Sequence, residues 1–193
     1  QEILEYAISE YKPYAIIAML SGGKDSMAAY QVARRLGVQI THIMHGVTGT
    51  GIPETTEFVR EFPATTGLTY LEANAEAAYE QYVRRNGFFG RGLTAHSYAY
   101  HILKHRRFTH TISASVRQRR RNRNVLLING ARVDESLNRS RNLVEPIRSD
   151  PTIASNVWVN IIHNWSKQDR NDFLLETEAP TNPVTQKLCR SGE

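Results

Sequence analysis

The sequence predicts an α/β domain in which a parallel sheet carries helices on both faces. Three observations point there. Residues 14–20 (YAIIAML) and 125–129 (VLLIN) are apolar runs of strand length, as strands buried on both sides require. Segments with apolar residues at helical spacing alternate with such runs, the order that βαβ units produce. The first run ends in a polar, glycine-rich turn, SGGKDS at residues 21–26, which opens one of those helical segments.

The elements follow in order. Residues 14–20 form the first strand. Ala29, Val32, Ala33 and Leu36 recur at i, i+3, i+4, i+7 and mark a helix with one buried face, which Gly37 stops. Residues 38–44 read as a second strand, after which His45 falls in an exposed loop. Pro53 opens a helix with Glu54 in its first turn and Phe58, Val59 and Phe62 on one side. Residues 68–71 predict a third strand, and residues 75–85 and 94–107 predict helices. Residues 87–92 (GFFGRG) predict a mobile loop, and residues 117–123 (RQRRRNR) a solvated charge run. Strands are expected at 125–129 and 157–162. A last helix over 166–175 begins at Ser166, with Asp169 three residues on in near capping-box spacing.

Length and composition bound the function. The chain has 193 residues, enough for one domain with a substantial core. It contains no apolar run of about 18 residues, the length of a membrane-crossing helix, and no signal core at its amino end. A single cysteine, Cys189, excludes an intrachain disulfide within these residues and fits a reducing, cytoplasmic setting. The net charge of +5 comes mostly from arginine, whose planar fork suits phosphate and sulfate. The sequence opens without a methionine and closes on Arg190-Ser191-Gly192-Glu193, so residues 1–193 are read as a single nucleotide-binding domain taken from a longer chain.

The glycine turn is an anion site by construction. A helix N-terminus leaves its first amides without intrahelical partners, and its dipole favours negative charge. Gly22 and Gly23 let the backbone approach a phosphate, Lys24 adds a mobile positive charge, and Ser21 and Ser26 add hydroxyls. Asp25 is the odd member, because a carboxylate repels phosphate; it either caps the helix or helps to hold a divalent cation. The spacing is neither that of a Walker A loop nor that of a dinucleotide fingerprint.

SGGKDS at the end of a first strand resembles the PP-loop of the ATP pyrophosphatase superfamily. Three further stretches resemble its phosphoadenylylsulfate (PAPS) reductase-like branch. Thr48-Gly49-Thr50-Gly51-Ile52-Pro53-Glu54-Thr55 matches T-G-x-x-x-P-E-T. Gly130-Ala131-Arg132-Val133-Asp134-Glu135-Ser136 followed by Arg139 matches G-x-R-x-x-E-S-x-x-R, with Arg141 beyond. Asn164-Trp165-Ser166 and Pro180-Thr181-Asn182-Pro183 match a W-[ST] helix entry and an N-P tail. The resemblance runs from about residue 14 to 193. It implies a Rossmann-like, adenine nucleotide alpha hydrolase-like fold, with nucleotide contacts at Ser21, Gly22, Gly23, Lys24, Asp25, Ser26, Thr48, Gly49, Gly130, Arg132 and Arg139. It further implies catalytic roles for Lys24, Asp25 and Arg132, with Asp25 near Mg²⁺. Arg132 and Arg139 are expected to grip phosphate or sulfate, Glu135 to orient an arginine, and Lys104 to reach the nucleotide.

The chain departs from the pattern in places. Val47 stands where the family often has an aspartate, and no cysteine lies just upstream of Leu103-Lys104. The family's tail often reads R-S-G-C, where this sequence has Glu193. An iron–sulfur cluster needs four thiolates and is expected only if cysteines lie beyond Glu193. His101 and His105 stand i, i+4 without the Glu of H-E-x-x-H, which predicts a helix face beside Arg106 and Arg107 rather than a metal site.

Three functions compete. The first is an enzyme that splits ATP to AMP and pyrophosphate and adenylates an acceptor in sulfur transfer, with a DNA or RNA substrate and a sulfur-donor protein as partners. The second is a thiol-dependent sulfonucleotide reductase, with Cys189 the sole nucleophile in this sequence. The third is a nucleic-acid-binding module without turnover that uses the arginine run. The glycine turn favours the first two over the third, and the first is the preferred reading.

Overall fold

A computed structural model describes residues 1–117, 123–135 and 145–188. The chain begins with a helix, α1 (Glu2–Tyr11), and enters the sheet through β1 (Ala15–Met19). Then come α2 (Lys24–Arg35), β2 (His42–Val47), α3 (Pro53–Glu61), β3 (Thr69–Asn74) and α4 (Glu76–Asn86). A long helical stretch over residues 93–117 joins α5 (Leu93–Tyr100), a π turn (His101–His105), α6 (Arg106–Thr111) and a second π turn (Ile112–Arg117). The remainder is β4 (Val125–Asn129), β5 (Ile147–Ser149), β6 (Asn156–Asn160), α7 (Lys167–Glu176) and α8 (Pro183–Leu188).

The six strands lie in the order β3-β2-β1-β4-β6-β5. Every pairing is parallel except β5–β6, where an antiparallel edge strand sets Arg148 opposite Trp158. Alternation along the strands splits the core into two layers. Ile16, Leu126, Ile128, Val157 and Val159 face α1 and α2 through Leu4, Ala7, Ala28, Ala29 and Ala33. Ala15, Ile17, Met19, Met44, Val125, Leu127 and Trp158 face the long helix through Phe108, Ile112 and Val116. Helices therefore cover both faces, as the buried strand pattern requires.

Several boundaries differ from the sequence expectation. The second strand begins four residues later than Val38, because Thr41 turns the chain: its hydroxyl donates to the Ile16 carbonyl at 2.9 Å and accepts from the Ile16 amide at 3.2 Å. His45 consequently lies on β2, 5% exposed, and not in an exposed loop. The third strand runs to Asn74 rather than stopping at Leu71. The long helix continues past residue 107 because Phe108, Ile112 and Val116, at i, i+4, i+8, bury one stripe against the sheet. The capping box at Ser166 forms: its hydroxyl accepts from the Asp169 amide at 3.1 Å, and the Asp169 carboxylate accepts from the Ser166 amide at 2.8 Å. No helix of the described residues is long and apolar enough to cross a membrane.

Candidate active site

The strand order reverses between β1 and β4: the chain goes from β1 to β2 and β3 on one side, and from β4 to β6 and β5 on the other. Such a switch point opens a crevice at the carboxyl ends of the strands. A cleft of about 1080 Å³ lies there, lined among others by Ser21, Gly23, Asp25, Ser26, Thr48 and Gly49. Gly130 and Ala131 enter it from the end of β4.

The glycine turn is braced from within. The Ser26 hydroxyl donates to the Gly23 carbonyl at 2.9 Å and accepts from the Ser21 amide at 3.1 Å. The Gly23 amide donates to the Ser21 hydroxyl at 3.3 Å. No side chain caps α2, so the first-turn amides of Lys24, Asp25 and Ser26 are left for a ligand. Lys24 is partly exposed and has no ion-pair partner among the described residues; neither it nor Gly22 is among the residues that line the cleft.

Two long-range clamps hold the turn. Gly22 adopts φ 79°, and a side chain there would strike Thr55, so glycine is required. Asn182 donates through Nδ2 to the Gly22 carbonyl at 3.1 Å and to the Thr55 hydroxyl at 3.0 Å, and its Oδ1 accepts from the Val184 amide at 3.0 Å. The N-P tail, the T-G-x-x-x-P-E-T segment and the glycine turn thus meet in one amide. The second clamp is ionic. Asp25 Oδ1 accepts from Arg132 Nε at 2.6 Å and from Arg170 Nη1 at 3.0 Å. Arg132 also donates through Nη1 to the Trp165 carbonyl at 3.2 Å. Beside it, a side chain at Gly130 would run into the Asp25 carbonyl and the Ser26 amide, so β4 abuts the first turn of α2 without room for a Cβ.

These contacts revise two expected roles. Arg132 is 3% exposed and engaged inside the protein, so it buttresses the turn instead of gripping phosphate. Asp25 orients the Arg132 guanidinium, and Glu135 accepts from the Arg132 backbone amide at 3.4 Å. A magnesium ion on Asp25 does not fit: two buried guanidiniums already over-neutralise that carboxylate, and a divalent cation there would meet two positive charges. Arg139, Arg141, Ser136 and Cys189 lie outside the described residues, as does most of the arginine run.

Other groups line the cleft as well, Lys104 among them. His45 donates through Nδ1 to the Leu20 carbonyl at 2.7 Å, and burial pushes its pKa down, so Nε2 is a bare acceptor at the cleft floor. Arg60 forks onto Glu72 at 2.7 and 2.9 Å, and those hydrogen bonds help to hold the Glu72 carboxyl down at about 2. Lys104 lines the cleft from the long helix, and Arg148 lines it from β5. Arg170, Arg148 and Arg60 have no recognisable sequence signal; only folding brings Arg170 to the turn and Arg148 and Arg60 to the cleft. His101 and His105 stack at 5.1 Å, and His105 Nε2 lies 2.9 Å from Asp150 Oδ2 in a buried pair, not on an open helix face.

Comparison with known proteins agrees with this architecture. The phosphoadenylyl-sulfate (PAPS) reductase of Candida auris, a phosphate complex, superposes with a TM-score of 0.64 at 14% identity, over 96% of this chain and 82% of that one. The NMN synthetase of Francisella tularensis gives 0.61 at 13% identity, over 93% and 69% of the two chains. The NH3-dependent NAD synthetase of Campylobacter jejuni subsp. jejuni, in complex with the nitrate ion, gives 0.59 at 13% identity, over 92% and 71%. No curated protein matches the sequence. The profile of the phosphoadenosine phosphosulfate reductase domain matches residues 15–191, and with that the chain belongs to the phosphoadenosine phosphosulfate reductase domain family.

Proposed function

We propose that the cleft binds an adenine nucleotide and splits ATP between its α- and β-phosphates, adenylating an acceptor in a sulfur-transfer reaction of the nucleic-acid thiolation type. The observation that carries this reading is the uncapped first turn of α2, aimed at the cleft between β1 and β4 and clamped by Asn182 and the Arg132–Asp25–Arg170 trio. The amides of that turn take the β- and γ-phosphates, and the base lies toward Thr48 and His45, whose Nε2 accepts from an exocyclic amine. An acceptor oxygen attacks the α-phosphorus, the bond to the bridging oxygen breaks, and pyrophosphate leaves with the electron pair. The acceptor's proton passes to water. Lys24 swings toward the phosphates and offsets the charge that develops on the leaving group. The sulfur of a donor-protein thiocarboxylate then attacks the adenylated carbon, the carbon–oxygen bond breaks with AMP as leaving group, and water releases the donor as its carboxylate. Held between two cations, Asp25 keeps the turn in shape without presenting a net negative charge to the phosphates.

Pyrophosphate release from ATP tests the reading. Lys24→Ala should lower it by roughly 10²-fold or more, the usual size of one lost electrostatic contact at a reacting centre. One observation favours a second reading: the family match is to a reductase domain. Reduction of a sulfonucleotide to sulfite by a thiol donor, with no pyrophosphate from ATP, would replace the first reading with that one.

A further inference from the structure

We propose that the part of the cleft beyond the glycine turn, over the ends of β4, β6 and β5, is a separate subsite that seats a phosphate group of the acceptor on Arg148. The proposal rests on the reading that an adenine nucleotide occupies the glycine turn and the Thr48 side. The cleft, at about 1080 Å³, stands at the upper end of ligand sites, which span about 300–1,000 Å³. With the base toward β2 and the phosphates over β1, the unused wing is the one that carries Asn129, Glu135, Arg148, Trp158 and Phe108. An acceptor has room there beside the nucleotide.

The wing is built, not merely open. Arg148 is exposed, lines the cleft and has no partner among the described residues, whereas Arg60, Arg132 and Arg170 are each bound to a carboxylate. Its planar fork matches a phosphate with two parallel hydrogen bonds. Its strand is held by a carboxylate two residues on. Asp150, 3% exposed, accepts from the Thr152 and Ile153 amides at 2.8 and 3.1 Å and from Trp158 Nε1 at 3.2 Å. His105 Nε2 completes the set at 2.9 Å and ties β5 to the π turn that carries Lys104. Trp158, opposite Arg148 in the strand register, and Phe108 line the cleft with ring centroids 6.4 Å apart. Glu135 lines the same wing, its carboxylate accepting from the Arg132 backbone amide at 3.4 Å.

Two sources of phosphate fit, a free monoester and the backbone of a single-stranded nucleic acid, and two probes separate them. Protein saturated with AMP is titrated with inorganic phosphate in one arm and with a short single-stranded oligonucleotide in the other, for wild type, Arg148→Ala and Arg148→Lys. Arg148→Ala should weaken one probe about tenfold or more, the loss of a charge-assisted pair, while AMP affinity stays within about twofold and Arg148→Lys recovers part of the loss. Dependence of the phosphate arm alone identifies a monoester acceptor; dependence of the oligonucleotide arm identifies a chain. The proposal is overturned if neither probe binds, if Arg148→Ala leaves both unchanged, or if AMP affinity falls by the same factor. Failure of AMP to bind wild type would instead overturn the nucleotide reading beneath it.

Discussion

Asn182 makes three hydrogen bonds with one side chain, and two of them fix the glycine turn. Asn182→Ala leaves the Gly22 carbonyl and the Thr55 hydroxyl without that donor in a buried position. We expect a loss of about 1–3 kcal/mol in urea unfolding, the cost of abandoned buried polar groups, together with weaker ATP binding. Lost stability with ATP affinity intact would mean that the turn keeps its shape without the amide. At this scale the sequence was partly legible. The turn itself was plain, because glycines, a lysine and two serines between a strand and a helix have few other uses. The roles of Arg132 and Asp25 were not. Whether an arginine meets a ligand or a carboxylate 107 positions away depends on packing that no local pattern encodes.

Among the elements, β5 is the least visible in sequence and the most dependent on a single charge. Three residues paired antiparallel to β6 carry no alternation to detect, and α8 has only six. The helix α1, by contrast, had a readable stripe in Leu4 and Ala7, which pack on the core, but it precedes every motif and went unread. The short β5 holds because Asp150 gathers donors from its own turn, from β6 and from the long helix. Burial alone would raise the Asp150 pKa, but the hydrogen bonds from Thr152, Trp158, Ile153 and His105 outweigh it and leave the carboxyl below its ordinary value. A depressed folded-state pKa adds stability that is complete above the unfolded value, about 3.9, and is lost as the pH falls through the folded one. Wild type should therefore lose stability below about pH 4, and Asp150→Asn, less stable at neutral pH, should show a shallower fall in that window. Parallel curves for the two proteins, measured by urea unfolding, would rule out this account.

Over the whole molecule, charge is segregated far more than the net value of +5 suggests. Residues 76–123 hold eleven of the 24 Lys and Arg but two of the 19 Asp and Glu, a balance of +9, and the rest of the chain carries −4. The long helix in this segment sets Lys104 on the cleft, where positive charge favours an anionic ligand. Replacing Arg119, Arg120 and Arg121 by glutamine should flatten the salt dependence of oligonucleotide binding by about two in log–log slope, at about 0.7 per single-strand phosphate contact. An unchanged slope would show that these residues touch no phosphate. The fold was the most legible property of all, since βαβ alternation and the glycine turn leave few alternatives, whereas the extent of the long helix emerged only with its partner strands in place. The clamp from Asn182 to Gly22 joins positions 160 apart. The ribosome must therefore add 160 residues after Gly22 before that turn can take its working shape. A nascent polypeptide cannot trap nucleotide early and carry it through assembly; the substrate enters only a finished protein.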